Sequence, residues 1–375
     1  MKASLVWDGG DIVHVPAVLG DPLDDQLTGT TGEQLIEVST RLCYDSLGRD
    51  EHGKRKGRST EKTLGNVMGV YHGSVLEHYN RTVALSLADW DHSNGYVAIV
   101  EALANRPGVF TRFDGERWRI TTNVRAVHEW QRMTNLLSTS YYDYPHSAAH
   151  DIGVTLQEAF HHATPLLISA PEHGPDNRIE GTFVEPMTQQ EKWVSMYLVG
   201  SRGFSHEMVR HRFAISQRST RYCPEDESKW HWHPLLYQFF EEQSDSLADH
   251  LRDAEGMARE AYHSIVETLE AWLLTKLPED TPYRHKTARK QARGAARGFL
   301  GNALETQMVF SAPVWAWKHI MHMRAADAAD AEIREIMVDA LSELKRSRYA
   351  PDFADLNLGP ASDGIGRSLI SGGHA

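Results

Sequence analysis

Arg210-His-Arg-Phe-Ala-Ile-Ser-Gln-Arg-Ser-Thr-Arg-Tyr222 sets four arginines and a histidine among small polar side chains. Arginine offers phosphate a rigid, permanently charged fork, while Ser and Gln read neutral carbonyl and imide edges. Such a mixture suits a nucleotide better than a protein core, although a solvated basic helix face has the same composition. The surroundings shape the fold reading. Lys192 to Val199 reads as a strand, and it leads into the apolar, helix-like run Phe204 to Val209 just before the basic segment.

Working outward, the 375 residues suffice for one large elaborated domain or two ordinary ones. Hydrophobic residues make up 41% and charged residues 24%, which fits a globular chain with a sizeable core. No apolar run reaches the length of a membrane span, and Met1 to Asp8 lacks the apolar centre of a signal peptide. Cys43 and Cys223 cannot build a disulfide framework and lack metal-ligand spacing. A cytoplasmic protein is expected. The net charge of −12 argues against general binding of a nucleic acid polymer. Positive charge is focused in two places, Arg202 to Arg221 and Arg284 to Arg297, which points to a small anionic ligand.

Residues 4–17 alternate around Asp8-Gly-Gly-Asp11 and predict an opening hairpin. Helices are expected at Gly32 to Tyr44 and Ser59 to Tyr71, separated by the charged loop Asp50 to Arg58. Asn80 to Ser86 reads as a strand by its β-branched content. Residues from about 88 to 190 read as aromatics, turns and short helices, with a loop at Ala170 to Arg178. Leu247, Leu251, Ala254, Ala258, Ala261, Ile265, Leu269 and Trp272 recur at helical spacing and mark a long amphipathic helix, for a core or a subunit interface. Ile333 to Leu344 predicts a final helix. The Gly-, Ser- and Asp-rich tail 351–375 is expected to be flexible. No internal repeat is visible.

Arg289, Arg293 and Arg297 lie four residues apart, so a helix projects them from one face. Clustered cations call for an anion; solvation at the surface is the alternative. His72-Gly-Ser-Val-Leu-Glu77-His78 sets an acid beside a histidine before a strand, in a spacing unlike a zinc helix. His231-Trp-His233 reads as a surface loop. No metal is expected. Ser219 has no evident partner base, and neither a Gly-x-Ser-x-Gly elbow nor a Gly-x-Gly-x-x-Gly fingerprint occurs.

Together these blocks resemble flavin-dependent thymidylate synthases. That family carries Arg-His-Arg, seven residues, Ser, then x-Arg-Tyr. An upstream block resembles His72 to His78. A downstream block resembles Arg289-Lys-Gln-Ala-Arg-Gly-Ala-Ala-Arg297 and its continuation to Thr306, and a closing block resembles His319 to Arg324 and Ala328 to Arg334. The match covers residues 30–86 and 191–350. The resemblance implies one mixed α/β domain over 1–350, an antiparallel-rich sheet flanked by long helices, with a large insertion at about 88–190. It implies reductive methylation of deoxyuridylate (dUMP) to thymidylate (dTMP), with methylenetetrahydrofolate as carbon source, NADPH as reductant and FAD as relay. A homotetramer with active sites at its interfaces is also implied. Arg210, His211, Arg212 and His319 would hold FAD, with His78 near its ring. Glu207, Gln217, Ser219 and Arg221 would bind dUMP, with Arg297 on its phosphate. Arg324 would polarise the uracil, so that no protein nucleophile is needed.

The chain departs from this pattern in two places. Only six residues separate Arg212 from Ser219, and Pro313-Val-Trp315 stands where the family has Asn-x-Arg. The insertion, however, contains Thr121-Thr-Asn123-Val-Arg125-Ala, similar to the missing Thr-x-Asn-x-Arg-Ala. This segment is expected to fold back and supply Asn123 and Arg125 to the flavin. Two other readings accommodate the departures: a related enzyme acting on another pyrimidine nucleotide, and a nucleotide-binding relative without catalysis.

Overall fold

A computed structural model describes residues 2–15, 27–48, 56–87, 100, 103, 108–138, 144–171, 179–225, 229–243 and 246–370. Most of the loop expected at Asp50 to Arg58, most of that at Ala170 to Arg178, and the last five residues lie outside them. Two four-stranded antiparallel sheets organise the chain. The first, in order β1-β6-β8-β7, contains Ala3–Trp7, Trp193–Ser201, Glu305–Pro313 and Ala214–Gln217. The second, in order β3-β4-β2-β5, contains Phe110–Phe113, Trp118–Asn123, Asn80–Leu87 and Ile179–Phe183.

β6 is buried along all nine residues, and its period-two alternation divides the interior. Val194, Met196 and Leu198 enter a core with Met308 and Phe310 of β8, α9 (Val314–Arg324) and α10 (Ala331–Leu344). Trp193, Tyr197 and Val199 face the opposite core, shared with α1 (Thr31–Cys43) and the second sheet through Val83 and Ile120. That shared core makes the two sheets one packed body. α1 begins with a capping box: Glu33 accepts from the Thr30 backbone N–H at 3.0 Å, and Thr30 Oγ1 accepts from that of Glu33 at 3.4 Å. α2 (Thr60–Gly69) matches its predicted position.

The insertion differs from the patchwork expected of it. β3, β4 and β5 join β2 in the second sheet, and two substantial helices follow β4: α3 (Val124–Ser138) and α4 (Tyr144–Ala163). An ion pair fixes it to the first sheet. Arg119 of β4, 3% exposed, binds Glu191 just ahead of β6 at 2.8 Å, and Arg112 of β3 reaches the same carboxylate at 3.1 Å. Burial opposes ionisation of Glu191, but hydrogen bonds from Arg119 and the Met187 N–H hold its carboxyl below the usual range.

The opening hairpin is half right. The chain turns at Asp8 to Asp11 and His14 N–H donates to Val6 at 2.7 Å, yet the strand partner of β1 is β6. Residues 16 and 17 lie outside the described residues. The tail requires a correction. After a 3-10 turn at Ala350–Phe353, β9 (Leu358–Pro360) and β10 (Arg367–Leu369) form a hairpin that buries Phe353, Leu356 and Leu369. Buried Arg334 of α10 holds it through Asp363 at 2.6 Å and the Ile365 carbonyl at 2.9 Å. Small polar residues here serve tight turns.

α5 (Arg202–Met208) and α6 (Pro234–Glu242) are short; α7 (Ser246–Lys276) is the long amphipathic helix and packs against α8 (Arg284–Ala296). Leu235, Tyr237, Phe239, Met257 and Trp272 remain exposed on α6 and α7.

Candidate active site

The basic segment is positioned by backbone geometry. α5 runs into a 3-10 turn at Val209–His211, and Arg212 then adopts φ 56°, the left-handed region that a non-glycine residue rarely enters. That residue reverses the chain so that Ala214 already pairs with Ser311 of β8. Cys43 meets the far end of the segment, its carbonyl accepting from the Ser219 N–H at 3.1 Å.

One cluster surrounds Arg324 at the end of α9. Its Nη1 binds Glu207 of α5 at 2.5 Å, and its Nε donates to His211 Nε2 at 3.3 Å. Burial, with Arg324 and His319 adding positive charge, pushes the His211 pKa down to about 4. A neutral ring is what an acceptor facing a guanidinium must be. Gln217, ending β7, donates from Nε2 to Ser205 Oγ at 3.1 Å and to Thr306 Oγ1 at 2.9 Å.

A second cluster gathers cations. Arg293 of α8 donates to the Tyr222 carbonyl at 2.7 Å, Lys290 lies 4.7 Å from the Tyr222 ring centroid, and the Arg221 side chain passes beside Gly294. Arg289 instead pairs with Glu270 at 3.1 Å, an exposed contact away from this group. Burial first, and neighbouring Arg297 second, hold Arg202 below the usual guanidinium range. Two like charges kept together with partial desolvation favour an anion between them.

His78 lies elsewhere. The ring is fully buried, with Nδ1 2.7 Å from Ser311 Oγ and Nε2 2.9 Å from Ser216 Oγ, and burial pushes its pKa down to about 3. Ser311 Oγ also meets Ser195 Oγ at 2.6 Å, so the ring ties the 3-10 turn Gly73–Glu77 to β6, β7 and β8. It exposes no atom to a ligand as it stands.

The third group is the insertion's own. Asn123 and Arg125 sit where β4 turns into α3, and they line a cavity of about 470 Å³ with Glu77, Trp193, Arg212 and Phe213. Arg125 binds Glu77 at 2.5 Å and Glu129 at 2.8 Å. The Phe213 ring stands 5.8 Å from Trp315, edge to face. Phe213 thus both lines the cavity with Asn123 and Arg125 and packs against Trp315. The Glu77–Arg125–Glu129 network escapes sequence reading; its only local signal is the i,i+4 spacing of Arg125 and Glu129. Trp193 gives no signal beyond a strand hydrophobe.

Cys43 and Cys223 are both buried, and burial pushes each thiol up to about 11. Neither is poised as a nucleophile.

Arginine forks, a neutral histidine and a hydrogen-bonded amide group gather around the end of a buried antiparallel strand. Residues 192–348 match the family described as thymidylate synthase complementing protein. The flavin-dependent thymidylate synthase of Mycobacterium sp. (strain KMS) is 39% identical over 173 residues, 46% of this chain and 65% of that protein. That of Mycobacteroides abscessus is 38% identical over 173 residues, 45% of this chain and 64% of that protein. That of Mycobacterium tuberculosis (strain ATCC 25177 / H37Ra) is 39% identical over 174 residues, 46% and 64% respectively. The chain therefore spans somewhat under two thirds of the length of these relatives.

Proposed function

We propose that this protein is a flavin-dependent thymidylate synthase, converting dUMP to dTMP with methylenetetrahydrofolate, NADPH and FAD. The observation that carries the reading is the Arg324 cluster: a guanidinium fixed by Glu207 at 2.5 Å beside a neutral His211. In this reading Arg324 faces a uracil carbonyl and stabilises the negative charge that grows there as C5 reacts. Gln217 has its amide N–H groups engaged by Ser205 and Thr306, which leaves Oε1 to accept from a uracil N3–H. Ser219 and Arg221 bind the nucleotide, and Arg297 beside Arg202 receives its phosphate.

The residues fit a flavin. The Arg212 guanidinium has no hydrogen-bond or ion-pair partner among the described residues, and the residue lines a cavity with aromatic lining. Arg210, His211, Arg212 and His319 would hold FAD, with Asn123 and Arg125 in place of the pair that Pro313 and Trp315 displace. When bound, reduced FAD supplies the hydride and relays the one-carbon unit. His78 acts by locking Ser216 and Ser311 in place. The exposed apolar side chains on α6 and α7 support a homotetramer, and the absence of a membrane-length apolar helix among the described residues accords with a cytoplasmic enzyme.

The test is release of the uracil C5 hydrogen from dUMP, dependent on both methylenetetrahydrofolate and NADPH. No release from protein reconstituted with FAD overturns the reading. Release from deoxycytidylate in preference to dUMP would instead favour the second reading, another pyrimidine substrate, which the altered Pro313–Trp315 stretch motivates.

A further inference from the structure

We propose that the cavity between the insertion and the Arg-His-Arg turn grips a flat heterocycle by its lactam edge, with Trp193 and Arg212 donating to the carbonyl and Glu77 accepting from the adjacent N–H. This deepens the cofactor site proposed above and rests on that reading only for the choice of ligands to try.

Trp193 carries the inference. Its side chain is 4% exposed, and its Nε1 is buried with no hydrogen-bond partner among the described residues. A buried donor left unpaired destabilises the fold, and a ligand carbonyl would remove that cost. The indole cannot simply turn outward, because it sits on central strand β6 and meets the Phe213 ring edge to face at 6.3 Å. Arg212 adds a charged donor from its left-handed position in the same wall.

The acceptor side is equally defined. Arg125 occupies Glu77 Oε1 at 2.5 Å, while Oε2 has no partner among the described residues. A carboxylate accepts at both oxygens, so Glu77 retains capacity for a ligand N–H. The wall is shaped for close approach. Gly108 has φ +75°, and a Cβ there would fall 2.6 Å from Asn123 Nδ2. Asn123 Oδ1 is held by the Ala126 N–H at 3.0 Å, which fixes the amide. Phe110 and Phe213 supply ring faces, and the volume of about 470 Å³ falls in the range of small-molecule pockets.

The isoalloxazine of a flavin and the pterin of a folate both present this edge. Titration of the full chain with FMN, FAD and 5-formyltetrahydrofolate, followed by calorimetry and tryptophan fluorescence, separates the sources. At least one should bind, and Trp193→Phe and Glu77→Gln should each weaken that ligand about five- to tenfold. The ligand affected identifies the source. If a flavin is the one, its N3-methyl derivative should bind the parent more weakly and lose nothing further in Glu77→Gln. Should Trp193→Phe fail to fold, Glu77→Gln alone decides. Affinities within twofold of the parent in the folded variants, or no binding of any of the three, overturn the inference. Loss of this contact pattern alongside intact C5 hydrogen release leaves the enzymatic reading standing. The pattern without release does the reverse.

Discussion

Single side chains fix the chemistry of the site. Arg324 matters through its place between Glu207 and His211, so shortening it should cost more than lost charge. Arg324→Ala is expected to lower kcat/KM for dUMP by about 10²–10³, the scale of removing one donor at a developing negative charge. Steady-state kinetics with saturating folate checks this. His78 gives a pH signature. Its folded pKa of about 3 lies below the unfolded value of 6.5, so the unfolded chain takes up the proton first. The stability is complete above pH 6.5 and is lost as pH falls toward 3, at up to about 1.4 kcal/mol per pH unit. A His78 ring resonance that titrates near 6.5 in the folded protein would contradict this. The basic segment stood out at residue scale because arginine forks suit an anion while serine and glutamine suit neutral carbonyl and imide edges. The burial of His78 was not legible. A histidine looks the same in sequence whether serines enclose it or a ligand meets it.

At the scale of elements, strands and helices with strong periodicity could be read directly. β6, α1, α2, α7 and α10 fall within a few residues of their expected positions. The insertion was misread because β3 and β5 are only four and five residues long and β5 pairs non-locally with β2, so little local pattern betrays them. The tail was misread for a related reason: its order comes from Arg334 and apolar docking supplied by other parts of the chain. Two predictions belong here. Glu191→Gln should destabilise the fold by about 3–5 kcal/mol, because it leaves buried Arg119 without its full partner. Chemical denaturation measures this. The Glu191 carboxyl is held below its ordinary value of 4.5, so the stability it confers is present above that pH and lost on further acidification. Truncation after Ala350 should cost several kcal/mol, since Phe353, Leu356 and Leu369 each bury about 1.5–3 kcal/mol of apolar side chain. A melting temperature unchanged by the truncation would refute it.

The described residues form two sheets that share a core, and that core sets the matched region beside the insertion. The matched region, residues 192–348, builds most of the first sheet and its helices; the second sheet brings Asn123 and Arg125 against Arg212. No local sequence feature fixes that juxtaposition. It follows from pairing of Asn80 with Asn123 in the register of β2 and β4. The homotetramer proposed above would cover the exposed apolar residues of α6 and α7. Light scattering should give a mass about four times that of the 42.3 kDa chain, and a monomer at micromolar concentration would refute it.

The two cysteines have a practical consequence. At a pKa of about 11, only about one in ten thousand of either thiol is ionised at neutral pH, and both are shielded from bulky reagents. A cysteine introduced at exposed Met257 or Met187 should therefore react alone with a maleimide dye. The native chain thus already provides a silent background for single-site labelling, so distances between protomers, or between the insertion and α7, become measurable without first removing any cysteine.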